Sequence, residues 1–487
     1  MYWIRETNGM KHRVIIRKCS DYDPDKIADI ILEGMQELDV VPQGNILLKP
    51  NTVLAHPKYF SHTFTRKEFL DGAIAATKSL AKNVREIAVG ERCGVTIPTR
   101  FSFKQAGYNE VIKKHAIRSH YFDEVKQVPV AIDGKDNLRR QLFMPKPVVD
   151  ADFLINLPKF KAHPWSRMTL SLKNFIGIQD DRHRLVDHNQ FLEHKIADLQ
   201  EVIQPKFIAI DGITAGQKTM LTPTPFDLGA IIMGTNSCAV DTVGCHMVHA
   251  DPKDVVHLKM AAERGFGPMD LDQIEILGDF PLEKVQEKTR DFGFCMERID
   301  EYFKMDPKLS CTVGTFPESH SPDYCWGGCP GALLESMHIF RLFYPEVDQQ
   351  MKKIRYVVGK VEGPLDLEDD EKVMFVGDCT SWEGEIGGQK VCIKRRYRKL
   401  TDIDETKTKS NDMVLKTVGS IFKAYKSIGS KYLHVKGCTV SIPEHIHYLS
   451  ALAGIGNPNF HPKLVFGVAM AYCQMRLKKF INRLVGV

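Results

Sequence analysis

Short runs of β-forming residues alternate with helical stretches over most of the first 280 residues, and this alternation constrains the fold of the chain more than any other feature. The runs end in polar residues or glycine, as strands do at the ligand-binding edge of open sheets. The pattern predicts an α/β fold. The predicted strands are residues 45–51, 86–91, 153–158, 207–212 and 228–234.

Four cysteines stand in glycine-rich contexts that a buried structural cysteine does not need: Cys325, Cys329, Cys379 and Cys438. Glycine beside a thiol lets the backbone approach a cofactor closely and provides amide donors to its sulfides. The pattern predicts four thiolates around one [4Fe-4S] cluster. One alternative is a four-thiolate zinc site, although such sites usually take two tight cysteine pairs and only one is present here. The other is a set of unliganded buried thiols.

A tight cysteine pair, then Gly-x-Cys after a hydrophobic run, then Gly-Cys resembles the proximal cluster site in the small subunit of nickel-iron hydrogenases and its relative in respiratory complex I. This resemblance implies a [4Fe-4S] cluster in a flavodoxin-like setting. The chain departs from the family in two places. Three residues separate Cys325 from Cys329, and Thr439 stands where the family has proline. The resemblance therefore does not support hydrogenase activity.

The chain has 487 residues, which is too long for one compact core, so more than one domain is expected. Two further β-rich runs, 356–359 and 373–377, restart the α/β pattern in the part that contains the four cysteines. We therefore predict two α/β domains, the second flavodoxin-like and carrying the cluster. The predicted division is an anion- or substrate-binding domain at 1–280, a linker at 281–322, an iron-sulfur domain at 323–455 and a C-terminal amphipathic helix at 456–487.

A second chemical signal is a group of basic residues between positions 156 and 177. Ammonium groups beside backbone amides suit a carboxylate or phosphate, and histidine transfers protons near neutral pH. We predict that His163 and Lys173 are catalytic. The predicted substrate-binding residues are Lys49, Asn51, Lys159, Lys161, Arg167, Asn174 and His188. The alternative is a set of independently solvated surface lysines.

Five motifs, in order, resemble the domain of unknown function 362 family over roughly residues 45–280. They are Leu-Lys-Pro-Asn at 48–51, Asn-Leu-Pro-Lys-x-Lys-x-His at 156–163, Ser-Leu-Lys-Asn-x-x-Gly at 171–177, Ile-Asp-Gly at 210–212 and Cys-Ala-Val-Asp at 238–241. The resemblance implies frequent association with [4Fe-4S] modules and no general activity. Residues 163–177 are also distantly similar to the substrate region of nickel-pincer lactate racemases, but the chain lacks their Asp-His-Thr-Arg-Pro motif.

Composition argues against several classes of protein. The formal net charge is only +5, and no Arg-Gly or aromatic-basic repeat is present, which argues against nucleic-acid binding. The 12 cysteines point to metal or free thiols rather than disulfides. No apolar stretch reaches the roughly 20 residues that span a bilayer, and no signal sequence is visible. We therefore expect a cytoplasmic protein, with an exposed cluster placing it in an anaerobic or microaerobic cell.

These signals together predict an oxygen-sensitive [4Fe-4S] redox protein, a reductase that acts on a small anionic substrate. One alternative is a non-catalytic electron carrier or a metallo-cofactor maturation factor. A second is a redox-neutral racemase or lyase related to nickel-pincer lactate racemase. The expected associations are a redox partner protein and a homo-oligomer.

Overall fold

The structure is a computed structural model that describes residues 11–56, 59–94, 97–184, 191–294, 296–318, 322–396 and 413–484. Helices and strands alternate along these ranges, which confirms the predicted mixed α/β class. The strands are β1 (His12–Lys18), β2 (Gln43–Pro50), β3 (Lys82–Glu91), β4 (Arg118–Tyr121), β5 (Gln127–Ala131), β6 (Gln141–Pro145), β7 (Phe153–Leu157), β8 (Lys159–His163), β9 (Arg167–Thr169), β10 (Phe207–Gln217), β11 (Thr224–Gly234), β12 (Ile274–Leu277), β13 (Leu309–Val313), β14 (Ile354–Lys360), β15 (Lys372–Ile386), β16 (Gln389–Ile393) and β17 (Tyr432–Val435).

The helices connect these strands and cover the sheets. They are α1 (Pro24–Glu37), α2 (Lys67–Leu80), α3 (Thr99–Gln105), α4 (Tyr108–Lys114), α5 (Lys146–Val149), α6 (Ser171–Asn174), α7 (Asp181–Arg184), α8 (Leu192–Leu199), α9 (Ser237–His246), α10 (Val256–Glu263), α11 (Leu282–Lys288), α12 (Ile299–Tyr302), α13 (Pro322–Gly327), α14 (Cys329–Phe343), α15 (Val347–Gln350), α16 (Met413–Lys426), α17 (Ile442–Ala453) and α18 (Pro462–Leu484). Short 3-10 helices cover Phe175–Ile178, Pro252–Asp254, Leu271–Gln273 and Pro458–Phe460.

The first sheet has a parallel half that positions the candidate site. Its main path runs β12-β1-β11-β10-β7-β2-β3-β4, and β8 extends it by pairing with β10 and β9. Strands β10, β7, β2, β3 and β4 are parallel to one another. The carboxyl ends of these strands therefore share one edge of the sheet, where ligands bind in open α/β folds.

Alternate residues of the central strands face two separate apolar cores. In β2, Ile46 and Leu48 pack in one core with residues of α1 and α2, whereas Leu47 packs in the other. Successive side chains of a strand point to opposite faces, so a strand that is covered on both faces must be apolar almost throughout. This requirement explains β7, in which every residue is buried and Asn156 is the polar exception.

The second sheet is built on the parallel strands β13, β14, β15 and β17. The carboxyl half of β15 leaves this arrangement and pairs with β16 in an antiparallel hairpin. Gly387 and Gly388 form the turn with φ angles of 55° and 78°, a left-handed conformation that glycine adopts without strain. Helices α14 and α17 pack on the parallel strands around a core that includes Leu333, Tyr356 and Leu449.

The second sheet begins earlier in the chain than the predicted start at residue 323. Helices α11 and α12 and strand β13 lie inside segment 281–322, which was predicted to be a linker. Strand β13 pairs with β14, so this segment contributes a strand to the second sheet. Its sequence, Leu-Ser-Cys-Thr-Val, alternates apolar and polar residues as a half-buried strand does, but the run is only five residues long.

Helix α18 lies inside the predicted helical segment 456–487 and packs on the first unit. Gly467 lies against the ring of Phe101, and Asn482 donates a hydrogen bond to the carbonyl of Glu124 at 2.9 Å. Neither α18 nor any other helix in the described ranges is both long and apolar enough to cross a membrane.

Helix α14 joins the two units through a buried carboxylate. Glu335 accepts hydrogen bonds from the backbone N–H groups of Met220 at 2.8 Å and Leu221 at 2.9 Å. Both donors belong to the segment between β10 and β11 of the first sheet. One side chain therefore satisfies two backbone donors at the boundary between the units.

We expect Glu335→Ala to lower the free energy of unfolding by roughly 2–4 kcal/mol, because two backbone donors lose their acceptor and a cavity remains. Glu335→Gln keeps one acceptor oxygen and should lose about half as much. Glu346→Ala, at an exposed position just beyond α14, is the control and should change stability by less than about 0.5 kcal/mol. Urea unfolding followed by circular dichroism measures all three. Parental stability of the alanine variant would contradict a bridging role.

Candidate functional site

Four polar residues lie where the parallel strands of the first sheet end or bend. They are Lys49 in β2, Glu91 in β3, Asn156 in β7 and Asp211 in β10, and none is more than 1% exposed. Polar groups this deeply buried are costly unless they are hydrogen-bonded or paired. The residues that pair with them build the candidate site.

Lys49 and Glu91 form a buried ion pair between β2 and β3. The Nζ of Lys49 donates to Oε2 of Glu91 at 2.7 Å and to the carbonyl of Asn174 at 2.7 Å. Burial lowers the pKa of Lys49 and raises the pKa of Glu91, while their mutual attraction opposes both shifts. Gly177 lies so close that a Cβ there would clash with the Glu91 carboxylate. The ion pair thus requires the glycine that ends the Ser-Leu-Lys-Asn-x-x-Gly motif.

Three asparagines link β2 and β7 to the helix α6. The Nδ2 of Asn51 donates to Oδ1 of Asn174 at 3.0 Å, and the Nδ2 of Asn174 donates to Oδ1 of Asn156 at 2.7 Å. Asn156 then donates to the hydroxyl of Ser171 at 2.9 Å. This chain of amides fixes the orientation of α6, which carries the predicted catalytic residue Lys173.

Asp241 of α9 fixes the start of the same short helix. Its two carboxylate oxygens accept hydrogen bonds from the backbone N–H groups of Ser171 at 2.7 Å and Leu172 at 3.0 Å. Burial raises the pKa of Asp241 to about 7, and the two N–H groups oppose that shift. The contacts of this carboxylate are those of a helix cap.

Asp211 compensates the charge of Lys159. The β8–β10 register places the two residues opposite each other, and Nζ lies 3.0 Å from Oδ2. The hydroxyl of Tyr22 accepts a hydrogen bond from Lys159 at 2.8 Å and donates one to Oδ1 of Asp211 at 2.8 Å. Burial raises the pKa of Tyr22, so its phenol stays protonated in this group.

Lys161 is buried, and the described residues place no carboxylate in direct contact with it. Its Nζ donates to the carbonyls of Thr63 at 3.0 Å and Met220 at 3.3 Å. Burial lowers its pKa to about 7, the positive charge of Lys173 adds to the shift, and the Glu335 carboxylate opposes it. An amine that gains or loses its proton near neutral pH is characteristic of functional lysines.

Lys173 has a similar environment. Burial lowers its pKa to about 8, Glu193 opposes the shift, and Arg184 adds to it. Burial also raises the pKa of Glu193 to about 7. The pKa values of the lysine and the glutamate therefore lie close together, and because the two groups attract each other they titrate as a pair.

His163 ends β8 and lies beside the cysteine segment. Its Nδ1 accepts a hydrogen bond from the backbone N–H of Trp165 at 3.2 Å. The indole N–H of Trp165 donates to the carbonyl of Gly327, in the turn between Cys325 and Cys329. The structure thus brings the predicted catalytic histidine next to the predicted cluster segment.

The lysines of the predicted site are buried and not solvated. Lys49, Lys159, Lys161 and Lys173 are at most 8% exposed, so the alternative of independent surface lysines is wrong. The contacts of Arg167 lead away from this network. Its guanidinium pairs with Asp254 at 2.8 Å and lies over the ring of Phe294. His188 lies outside the described residues.

The four predicted ligand cysteines lie near one another, where β15 leaves the parallel strands in its middle and where β17 ends. Gly377 has φ of 97°, and a Cβ built on it would lie 3.3 Å from the Sγ of Cys329 and 3.6 Å from that of Cys379. Burial, with the Cys379 and Cys438 thiolates as neighbours, raises the pKa of Cys325 to about 12. For the same reasons the pKa of Cys329 lies well above its usual value.

A backbone donor next to the cysteines is of the kind that surrounds iron-sulfur clusters. The backbone N–H of Val440 donates to the Sγ of Cys329 at 3.4 Å, as donors around a cluster do. Cys325 and Cys329 are buried and Cys379 and Cys438 are half-buried, so four thiolates here would repel one another and need compensating positive charge, which bound iron would supply. In the described part of the chain, however, no three His, Cys, Asp or Glu side chains are arranged to hold a metal ion, and the described cysteines form no disulfide.

Sequence reasoning missed the carboxylates that surround the lysines. Glu91 and Asp211 stand in predicted strands that end at the ligand-binding edge, so their positions were a usable signal. Glu335 had none, because it lies in an apolar helix of the second unit and reaches the site only through the tertiary fold.

Comparison with known proteins gives limited similarities. A thylakoid-associated protein of Synechocystis sp. is 27% identical over 158 residues, covering 31% of this chain and 47% of that protein. The chain therefore spans about half the length of this relative. The lactate racemase apoprotein of Thermoanaerobacterium thermosaccharolyticum aligns with a TM-score of 0.32 and 9% identity, over 77% of this chain and 85% of that chain.

A protein from Thermotoga maritima aligns with a TM-score of 0.33 and 9% identity, over 89% of this chain and 84% of that chain. Both TM-scores are too low to establish a shared fold. Residues 46–246 match the family described as Domain of unknown function (DUF362), so the resemblance read from the five motifs is confirmed for this segment, which contains Lys49, Lys159, Lys161 and Lys173.

Proposed function

We propose that the protein is an iron-sulfur oxidoreductase that reduces a small anionic substrate. Cys325, Cys329, Cys379 and Cys438 would hold a [4Fe-4S] cluster in the second, flavodoxin-like unit. The observation that carries the proposal is a hydrogen bond between the segment of Cys325 and Cys329 and the turn after His163. The indole N–H of Trp165 donates it to the carbonyl of Gly327. The contact joins Gly327, between Cys325 and Cys329, to Trp165, two residues after His163.

The distribution of the thiols supports a cluster over a single zinc ion. The ligands of a cluster bind its separate corner irons, so their sulfurs lie further apart than four sulfurs around one ion. A four-thiolate zinc site usually takes two tight cysteine pairs, and only Cys325 and Cys329 form such a pair here. When bound, the cluster would supply electrons one at a time. The chain would hold it through four thiolates and tune it with the Val440 N–H.

Lys161 and Lys173 are the best candidates to hold the anion. Lys49 and Lys159 are already compensated by carboxylates at 2.7 and 3.0 Å, so they would position their neighbours. Burial keeps the pKa of Lys161 at about 7 and that of Lys173 at about 8. An anion between them would favour the charged amines and supply the compensation that the protein does not.

His163 would hold the proton that accompanies reduction. Its Nδ1 accepts hydrogen bonds from the backbone N–H groups of Trp165 at 3.2 Å and Ser166 at 3.4 Å. In the neutral ring the proton is therefore on Nε2, which would donate a hydrogen bond to the anion and stabilise the negative charge that develops on it during reduction. Protonating Nδ1 would cost both hydrogen bonds, so these contacts define the acting nitrogen. We also infer a cytoplasmic location, where the free thiols of the site would remain reduced.

Anaerobically purified protein should contain about four irons and about four labile sulfides per chain. Cys379→Ala should lose most of both, because the missing thiolate leaves one iron without its ligand. Cys473→Ala, at an exposed cysteine of α18, is the matched control and should keep them. Iron and sulfide analysis with electron paramagnetic resonance before and after dithionite measures the outcome. Stoichiometric zinc without sulfide would end the cluster proposal.

Lys161→Met should weaken the binding of a carboxylate or phosphate ligand by roughly 1–3 kcal/mol, the scale of a charge-assisted hydrogen bond. Lys478→Met, on the exposed side of α18, is the control. Because the free amine has a pKa of about 7, the parent should take up a proton on binding above that pH. Its affinity should then fall by up to about tenfold per pH unit.

Isothermal titration calorimetry in two buffers with different ionisation enthalpies measures this affinity and the proton uptake together. The Lys161→Met variant should lose most of the pH dependence. Equal affinity of parent and variant at every pH would remove Lys161 from the binding site, and iron content should stay constant in both proteins.

His163→Gln should keep the cluster and its potential yet slow reduction of the anion by roughly 10²- to 10⁴-fold, the usual contribution of a positioned acid or base. Single-turnover oxidation of the dithionite-reduced protein by the bound anion measures the step. If the His163→Gln variant transfers electrons to a partner protein at the same rate as the parent, the carrier or maturation alternative replaces the reductase. Turnover without net oxidation would favour the racemase or lyase alternative.

A further inference from the structure

Helix α18 presents apolar residues on two different faces. One face packs on the first unit, where Ala471 and Met475 are buried and Gly467 lies against the ring of Phe101. A helix that docks on a protein core needs only this face. The opposite face is also apolar, and the described residues do not cover it.

The exposed face forms a continuous stripe. Its large apolar residues follow one another at intervals of three, four or seven positions, which places them along one side of a helix. Cys473, which is also exposed, fills the seven-residue interval. We name this surface the α18 stripe. It consists of Phe466, Met470, Leu477, Phe480 and Leu484, with exposed fractions between 59% and 76%.

The charge of the helix has one sign. Its 23 residues contain no aspartate or glutamate. Four of its five basic residues stand in the second half of its sequence, as do the last three residues of the stripe. The five are Lys463, Arg476, Lys478, Lys479 and Arg483.

We propose that the α18 stripe docks the protein on the surface of a membrane that contains anionic phospholipids. Apolar side chains on one face and lysine or arginine beside them are the features of helices that lie in the membrane interface. The apolar stripe would enter the acyl boundary, and the basic side chains would bind lipid phosphates. The helix would lie on the bilayer and not cross it, because its 23 residues are long enough for a span but not apolar enough.

Charge complementarity favours this occupant over a second copy of the chain. Helices that pair through an apolar stripe gain specificity from opposite charges beside it. Two copies of α18 would bring only basic residues together, since the helix has no acidic ones. An anionic lipid surface provides the missing negative charge and attracts each lysine or arginine near it.

Cosedimentation of the full chain with vesicles tests the proposal. Vesicles of phosphatidylcholine and phosphatidylglycerol in equal parts should bind the protein, vesicles of phosphatidylcholine alone should bind it at least about tenfold more weakly, and salt should reduce the difference. The double variant Leu477→Ser, Phe480→Ser should lower the partition coefficient by about tenfold or more. Lys478→Glu should lower it by a comparable factor on the acidic vesicles only.

Met305→Ser is the matched control, because Met305 is 90% exposed and lies outside α18. It should bind as the parent does. All substituted positions are exposed, so the unfolding midpoint should not change. Absence of binding to acidic vesicles, or unchanged binding by the double variant, would overturn the proposal. A dimer in analytical ultracentrifugation that the double variant dissociates, without vesicle binding, would assign the stripe to a second copy.

Discussion

The ion pair between Lys49 and Glu91 is the interaction on which the candidate site depends. It crosses from β2 to β3 in the interior of the first unit and also binds the carbonyl of Asn174. Removing one partner of such a pair costs roughly 3–5 kcal/mol, because a buried charge is left uncompensated. The close approach of Gly177 shows how little room the pair leaves. The asparagine chain and α6 are therefore arranged around an electrostatic requirement of the core.

Compensation divides the four lysines into two kinds. Carboxylates on neighbouring strands neutralise Lys49 and Lys159, so these residues build the site. Lys161 donates to two backbone carbonyls, and the nearest carboxylates that act on Lys161 and Lys173 are the more distant Glu335 and Glu193. Burial lowers the pKa of Lys161 to about 7 and that of Lys173 to about 8. The described part of the protein thus places no carboxylate in direct contact with these two ammonium groups, which leaves their charge uncompensated. Two lysines of one buried cluster are thus paired with carboxylates at hydrogen-bonding distance, and the other two have lowered pKa values.

The two units meet at the point where both chemical signals lie. Helix α14 begins at Cys329 and carries Glu335, which binds the N–H of Met220, while the carbonyl of Met220 accepts a hydrogen bond from Lys161. The charge of Lys161 therefore acts on the Glu335 carboxylate of α14, the helix that begins at the predicted cluster ligand Cys329. Two hydrogen bonds through Met220 thus connect Lys161 to the helix that begins at Cys329.

The sequence by itself determined the α/β class, the polar ends of the central strands, the DUF362 segment and the residue types of the candidate site, because these depend on local periodicity and motifs. It did not show that Lys159 pairs with Asp211 or that Glu335 approaches Lys161, since these contacts depend on strand register and on packing between distant segments. It also assigned β13 to a linker. Only the tertiary structure decided which lysines are compensated, because burial and pairing arise when separate strands and helices meet in one interior.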